Sequence, residues 1–517
     1  MANTSAAAPR KELFGHPVGL YVLFLTEMWE RFSYYGMRAI LVIYMIATAS
    51  SENGPGLGWT NEKALMLYGW YVMLVYLLSI PGGVLADRVL GQRKTVLVGA
   101  ITLVAGHGTL AIEQNWAFFT GLTLIILGVG MLKPNISTMV GGLYKEGDIR
   151  RDKGFSIFYI GINLGSLLAT TFVGLIVATY GWHAGFGMAG IGMLLGLIVY
   201  ARGQKYLTHV GNPPKKIKDD NEVTFKDLFT DLLKSPLQLG ITLVLLIISV
   251  ALGFSIDQID KWGYIILFTF LSLVIGMLMM VYKDLKDQIQ KDRFLVILIT
   301  FALVIVFWGA FEQAGGLMSI YTEQKTDRML FGWKVPTPMF QGLNAGFITI
   351  FAVIVAGFWA KRKMKGKEAS SIFKMAIGTA IMGLGYVWMV FAAAEYAANG
   401  SSSMIWLVLA YFFHTIGELS LSPVSLSFVT KLAPIKYASL MMGLYFAATG
   451  LGGKLAGVVG ESASEYGEYA VFSGITIFTV IFALLVMTLL KPLKRLTHGA
   501  EEAERDMSEE QAEVLDA

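Results

Sequence analysis

The sequence predicts an all-α integral membrane protein: fourteen transmembrane helices, arranged as two six-helix bundles with two accessory helices between them. Three observations carry that reading. Hydrophobic residues make up 55% of the chain and charged residues only 15%, with a mean hydropathy of +0.60, whereas soluble domains carry about 25% charged residues. Apolar runs long enough to cross a hydrocarbon core recur along the whole length. Lysine and arginine then collect on alternate connections, which orients the runs.

The N-terminus, Met1 to Lys11, reads as a short cytoplasmic lead-in and not as a removed signal peptide, because no small-residue cleavage site comes after it. Six spans come next, near 16–48, 62–90, 93–112, 116–145, 151–179 and 184–207. After a basic linker, two more lie near 236–257 and 261–283, with almost no intramembrane charge, and read as packing accessories. The last six fall near 289–324, 336–361, 370–394, 402–432, 435–460 and 467–491. The implied organisation is a cytoplasmic N-terminus (1–15), an N-terminal bundle (16–207), a linker with the accessory helices (208–288), a C-terminal bundle (289–496) and an acidic cytoplasmic tail (497–517).

Most of the 41 lysines and arginines lie on the side of the N-terminus, as in Arg88-Arg93-Lys94, Lys145 to Lys153, Arg202 to Lys234 and Lys361 to Lys374. The other side has Lys63, Lys261, Lys325, Arg328 and Lys334. That asymmetry puts both termini in the cytoplasm of a multi-pass membrane protein. The net charge of +4 belongs to these loops and gives no sign of a nucleic-acid partner. There is no cysteine, which excludes a disulfide framework, a thiol nucleophile and a cysteine-ligated metal. The six histidines show no HExxH-like spacing, so neither a metal nor an enzyme active site is expected.

Within the first span, Glu27, Glu30, Arg31, Tyr34, Tyr35 and Arg38 fall inside one arc of about 140° on a helix. A charge at mid-membrane costs roughly 2.5–3.5 kcal/mol on insertion scales, so four on one face imply a protein interior or a wet cavity. An ion-pair ladder of Glu27 with Arg31 at i,i+4 is the structural reading; it does not exclude a functional one. The fourth span carries Lys133-Pro134, and the span in the matching place of the second half carries Glu418 with Pro423. The first span's acids are matched by Glu312. Two halves with matched broken helices and midplane polar groups are what an alternating-access transporter requires. The pairs Gly82-Gly83, Gly315-Gly316 and Gly452-Gly453 are read as tight packing or as hinges.

The loop after the second span, Gly82-Gly83-Val-Leu-Ala-Asp87-Arg88-Val-Leu-Gly91-Gln-Arg93, resembles the loop motif of the major facilitator superfamily. There Gly83 and Gly91 turn the chain, and Asp87, Arg88 and Arg93 supply charges that can pair across the bundle. Glu27-x-x-Glu30-Arg31-Phe32-x-Tyr34-Tyr35-Gly36 resembles the first-helix motif of the proton-coupled oligopeptide transporter (POT) family in full. Phe155 to Ser166, Phe311-Glu312-Gln313 and Gly417-Glu418-Leu-Ser-Leu-Ser422-Pro423 are similar to further signatures of that family. The resemblance runs from about residue 16 to 490 and includes the two inserted helices that bacterial members carry. Two positions depart from it: Tyr445 stands where tryptophan is common, and Lys454 where a neutral polar residue is usual. Lys454 either snorkels or pairs with an acid.

The resemblance implies a major facilitator fold and a proton–peptide symporter for di- and tripeptides, with protons as the coupling ion and no cofactor. A short peptide presents an ammonium and a carboxylate at a nearly fixed distance, with variable side chains between. Arg31, Arg38 and Lys133 suit the carboxylate, and Glu418 suits the ammonium. Asn163 and Asn344 add hydrogen bonds by resemblance. Tyr35, Tyr76 and Tyr159 would meet the peptide backbone or carboxylate, and Trp308, Ser422 and Tyr445 would line the pocket. The alternative for each aromatic is helix packing, and for Lys133 with Glu418 a permanent salt bridge. Glu312, deep in an apolar run, is the expected proton carrier that frees Arg38 when protonated. Glu27 and Glu30 with Arg31 form a second protonation-sensitive cluster. A small-anion carrier, a peptide-sensing receptor and a channel are the rivals. Glu418 argues against the first, the lack of a signalling domain against the second, and the opposed charges of the two halves against the third.

Overall fold

A computed structural model describes residues 11–145, 148, 150–213, 225–255 and 261–500. The acidic tail from Glu501 onward and most of the basic linker lie outside these residues. The described chain is helical throughout, apart from two-residue strand pairs at its connections. Eleven of its helical stretches are long and apolar enough to cross a membrane. The first helix, α1 (Val18–Ile46, 29 residues), is long enough as well, but its polar stripe keeps it out of that set.

The helices run in chain order. After α1 come α2 (Asn61–Leu77) and α3 (Ser79–Leu85), a wide turn at Ala86–Leu90, α4 (Gln92–Leu110), α5 (Asn115–Gly142), α6 (Arg150–Tyr180) and α7 (Trp182–Gly203). The middle holds α8 (Phe225–Leu233), α9 (Pro236–Ser255) and α10 (Lys261–Asp284). The rest of the chain forms α11 (Gln288–Phe311), α12 (Leu317–Lys325), α13 (Thr337–Met364), α14 (Ser371–Asn399), α15 (Ile405–Leu432), α16 (Ala438–Glu461), α17 (Ala463–Thr488) and α18 (Leu490–Leu496).

The chain forms two compact units. One draws on the described parts of Met1–Lys216, Ala302–Val424 and Phe446–Thr488. In it α1 lies against α6 and α7, α4 against α5, α14 against α17, and α6 against α13. The other draws on the described parts of Ile217–Phe301, Ser425–Tyr445 and Leu489–Ala517; in it α9 and α10 pair, with α8 against both. Glycine sets the closest approaches in the first unit. A side chain at Gly82 would strike the Gly130 carbonyl of α5, and one at Gly69 would come within 3.0 Å of Gly457 Cα on α16.

Several spans differ from their sequence reading. The run 62–90 forms one membrane span, Asn61–Leu90, with a local interruption at Leu78 between α2 and α3. Pro81 has no N–H for the Leu77 carbonyl, and its ring disfavours continuation. The run 289–324 breaks as well: α11 stops at Phe311, one tight turn takes Glu312–Ala314, and α12 begins after Gly315-Gly316. The last span begins at Gly467 as read from the sequence: a short helical stretch from Ala463 precedes it and is set off by a kink at Gly467, where φ is 78°. Conversely, the expected breaks at Pro134 and Pro423 do not occur, since α5 and α15 run through both prolines. Beside Pro134, the Asn135 side-chain amide donates to the carbonyls of Met131 (2.7 Å) and Gly82 (3.3 Å), so side-chain bonds support the backbone there.

Candidate functional site

The site is built in the first unit on the stripe of α1. Glu27, Glu30, Arg31 and Arg38 are all buried, none more than 5% exposed. The Arg31 guanidinium lies between its two acids: Nε is 3.0 Å from Glu27 Oε1 and also meets Glu30. The rings of Tyr34 and Tyr35 lie 5.6 and 5.9 Å from that guanidinium, and Tyr35 is 5.6 Å from Arg38. Tyr35 therefore sits between the two cations.

Arg38 reaches across to the break after α11. Its Nη2 is 3.2 Å from Glu312 Oε2, and the same oxygen accepts from the Tyr68 hydroxyl of α2 at 3.0 Å. The break is held from both sides. Gln313 donates to the Ala456 carbonyl at 2.9 Å, and Tyr386 donates to the Ala310 carbonyl at 2.6 Å. Gly315 is required where it stands, because a Cβ there would lie 2.9 Å from Arg38 Nε and against Tyr68. One turn earlier, Trp308 packs edge-on against Phe307 and Phe311.

On α5, Lys133 Nζ stands 4.0 Å from the centre of the Tyr76 ring of α2. On α15, Glu418 accepts from Asn344 Nδ2 of α13 at 2.8 Å, and the same amide donates to Thr415 at 3.1 Å. Glu418, Asn344, Tyr76, Lys133, Trp308 and Ser422 are all half-buried, as side chains lining a wet cavity would be. Lys133 and Glu418 make no ion pair with each other among the described residues. Asn163 spends its amide on its own helix, donating to the Tyr159 carbonyl at 3.0 Å, and Tyr159 is exposed. Tyr445 belongs to the second unit, where it shares a hydrogen bond of 2.9 Å with Ser425.

The loop motif forms the wide turn and the start of α4. Asp87 and Arg88 lie in the turn, Gly91 has a φ of 75°, and the Arg93 amide donates to the Gly211 carbonyl at 2.9 Å. Gly83 has open space where a Cβ would be. Lys454 is buried, 4.4 Å from the Trp70 ring centre and 4.0 Å from Glu461. An acid partner is thus what the structure offers it.

Sequence reasoning missed Tyr68, Tyr71, Thr415 and a seam of polar contacts among the connections after α1 and α12. In that seam Lys334 Nζ meets Glu52 at 2.6 Å, and Asn61 and Gln324 exchange hydrogen bonds of 3.2 Å. Beside it Arg328, buried, joins Glu323 (3.1 Å) and Thr337 (2.7 Å) at the wall of a cavity of about 300 Å³. The Lys334 ammonium holds the Glu52 carboxyl below its ordinary range. A hydroxyl inside an apolar run was the only signal for Tyr68 and Tyr71.

Residues 93–472 match the family model described as the POT family. The chain belongs to the POT family. Among its relatives, the peptide transporter YePEPT of Yersinia enterocolitica is 35% identical over 520 residues, covering 96% of this chain and 99% of that one. A di-/tripeptide transporter of Lactococcus lactis is 35% identical, covering 94% and 97%. A crystal structure of a POT peptide transporter in complex with sulfate aligns with a TM-score of 0.81 at 34% identity, covering 94% of this chain and 97% of that one. As a POT family member the chain is a multi-pass membrane transporter and not an enzyme, and proton coupling follows from the family.

Proposed function

We propose that this chain is a proton-driven symporter that imports di- and tripeptides by alternating access. One observation carries the reading: the buried pair of Arg38 with Glu312, which ties α1 to the break between α11 and α12 and is backed by Tyr68. A pair taken out of water holds only while both partners are charged; removing one leaves the other uncompensated. Protonation of Glu312 dissolves it and releases Arg38 to a peptide carboxylate, beside Arg31 and Lys133. Glu418, oriented by Asn344, takes the peptide ammonium. Tyr35, Tyr76, Tyr159 and Asn163 meet the peptide backbone, and Trp308, Ser422 and Tyr445 shape the side-chain pocket. Glu27, Glu30 and Arg31 form the second proton-sensitive cluster. Gly83, Asp87, Arg88, Gly91 and Arg93 make the inner loop on which one bundle turns. The relatives named as peptide and di-/tripeptide transporters support the substrate class.

Fourteen transmembrane helices, two six-helix bundles and two accessory helices, with both termini in the cytoplasm of the bacterial inner membrane, complete the proposal. The positions of lysine and arginine support that orientation. Labelled dialanine in proteoliposomes tests it. Accumulation that needs an inward proton gradient, collapses with an uncoupler and is competed by other dipeptides is the expected result. A folded, inserted protein that takes up none contradicts the substrate class.

A further inference from the structure

Along the seam of α1 and α2 lies a string of buried polar atoms, most of them outside the ion pairs. Among the described residues, Tyr71 Oη, Arg38 Nε, Arg31 Nη2, both carboxylate oxygens of Glu30 and Glu27 Oε2 are buried without a hydrogen-bond partner. Glu30 Oε2 is in ion-pair contact with Arg31 Nε, which leaves Tyr71 Oη, Arg38 Nε, Arg31 Nη2, Glu30 Oε1 and Glu27 Oε2 outside both kinds of contact. Buried polar groups are nearly always satisfied, and a run of them in one place is the setting in which internal water is found.

The order of these atoms matters. Glu30 and Arg38 are eight residues apart on α1, so at 1.5 Å per residue their levels differ by about 12 Å. At about 2.8 Å per link, that separation takes roughly four hydrogen bonds, too far for direct exchange between Glu312 and Glu30. On α2, Tyr68 stands at the Arg38–Glu312 pair. Tyr71 is three residues on, on the same helix face. It is 2% exposed and within electrostatic range of Arg38, Tyr34, Tyr68 and Glu30. Its hydroxyl, both donor and acceptor, thus stands between the two acid clusters.

We propose that Tyr71 is the middle link of a water-assisted proton path from Glu312 to the Glu27–Glu30–Arg31 cluster. This rests on the proton-coupled reading and adds a residue and a route to it. The proton leaves the Glu312 carboxyl for a bridging water, which gives one of its own to Tyr71 Oη. The phenol's hydrogen passes to the next water and from there to the Glu30 carboxylate. Water and phenol end as they began, Glu312 returns to the carboxylate that pairs with Arg38, and Glu30 becomes the acid.

Tyr71→Phe keeps the ring and removes only the link. In proteoliposomes, gradient-driven dialanine uptake is expected to fall by roughly ten- to a hundredfold, the lower part of what a positioned proton-transfer group contributes. Counterflow exchange, which needs no net proton movement, is expected to stay within about twofold of the native rate. Unchanged uptake overturns the proposal, and so does an equal loss of exchange, which would make Tyr71 a packing or binding residue. A dry, unpartnered hydroxyl is a liability, so a higher Tm in Tyr71→Phe with native uptake would likewise overturn it. A structure of the native protein that shows ordered solvent reads the route without any substrate. Water within hydrogen-bond distance of both Tyr71 Oη and Glu30 is expected, and a dry seam contradicts the route. Native protein that neither accumulates nor exchanges dialanine would count against the peptide reading instead, and the solvent structure would then decide the relay.

Discussion

At the scale of single residues, two membrane-embedded acids, Glu312 buried and Glu418 half-buried, have different partners. Glu312 faces a guanidinium and a phenol, Arg38 at 3.2 Å and Tyr68 at 3.0 Å. Glu418 accepts from the Asn344 amide at 2.8 Å and has no cation beside it among the described residues, and in the proposed mechanism it takes the peptide ammonium. Hydrogen bonds to charged groups contribute about 1.5–3 kcal/mol. Glu418→Gln is therefore expected to weaken dipeptide competition by roughly ten- to a hundredfold, and to weaken it far less for an N-acetylated dipeptide, which has no ammonium. Equal losses for both ligands would remove Glu418 from that role. The sequence made Glu312 visible because it is a lone acid in an apolar run. It could not show Tyr68, whose partner is 244 positions away and whose type is ordinary in a membrane helix. The sequence placed Lys133 and Glu418 at matching depths of the two halves; their neighbours, a tyrosine ring and an asparagine, were not legible in it.

At the scale of elements, the spans were legible and their interruptions only in part: Gly315-Gly316, read as tight packing or a hinge, falls at one of them. Hydropathy shows where a chain can lie in lipid, but it does not register a lost backbone hydrogen bond. The two prolines with a visible polar neighbour, Pro134 and Pro423, were read as breaks, yet both helices continue. The breaks fall at Pro81 and at Glu312 to Gly316, where glycine lets Tyr68 and Arg38 approach the backbone. Close helix contacts obey the same logic at Gly69 and Gly457. Gly457→Ala inserts a methyl 2.9 Å from Gly69 Cα and is expected to cost about 1–3 kcal/mol as overpacking, read as a lower Tm in detergent. A native Tm would show that α2 and α16 do not meet as closely as described.

At the scale of the molecule, the Lys334–Glu52 seam and the orientation can be tested apart from the substrate. Lys334 holds Glu52 ionised, and its carboxyl is depressed below its ordinary value of 4.5. The stabilisation from that pair is fully present above the ordinary value and is lost only as pH falls through the depressed one. Lys334→Met is thus expected to speed opening of the outer side, measured by spin-label distances, by the same factor at every pH above about 5. An effect that appears only near neutrality would contradict that assignment. Because the chain has no cysteine, single replacements report sidedness cleanly. An impermeant maleimide is expected to label Glu113→Cys in intact cells, and Lys365→Cys only after lysis. The reverse pattern would invert the topology.

The coupling of Arg38 to Glu312 is tested most directly by Glu312→Gln, assayed in one proteoliposome preparation for both gradient-driven accumulation and counterflow of labelled dialanine. Glutamine keeps the shape and the hydrogen bond from Tyr68 but cannot release a proton. Accumulation is expected to be abolished while counterflow persists. Uphill uptake at the native level would show that the proton is carried elsewhere.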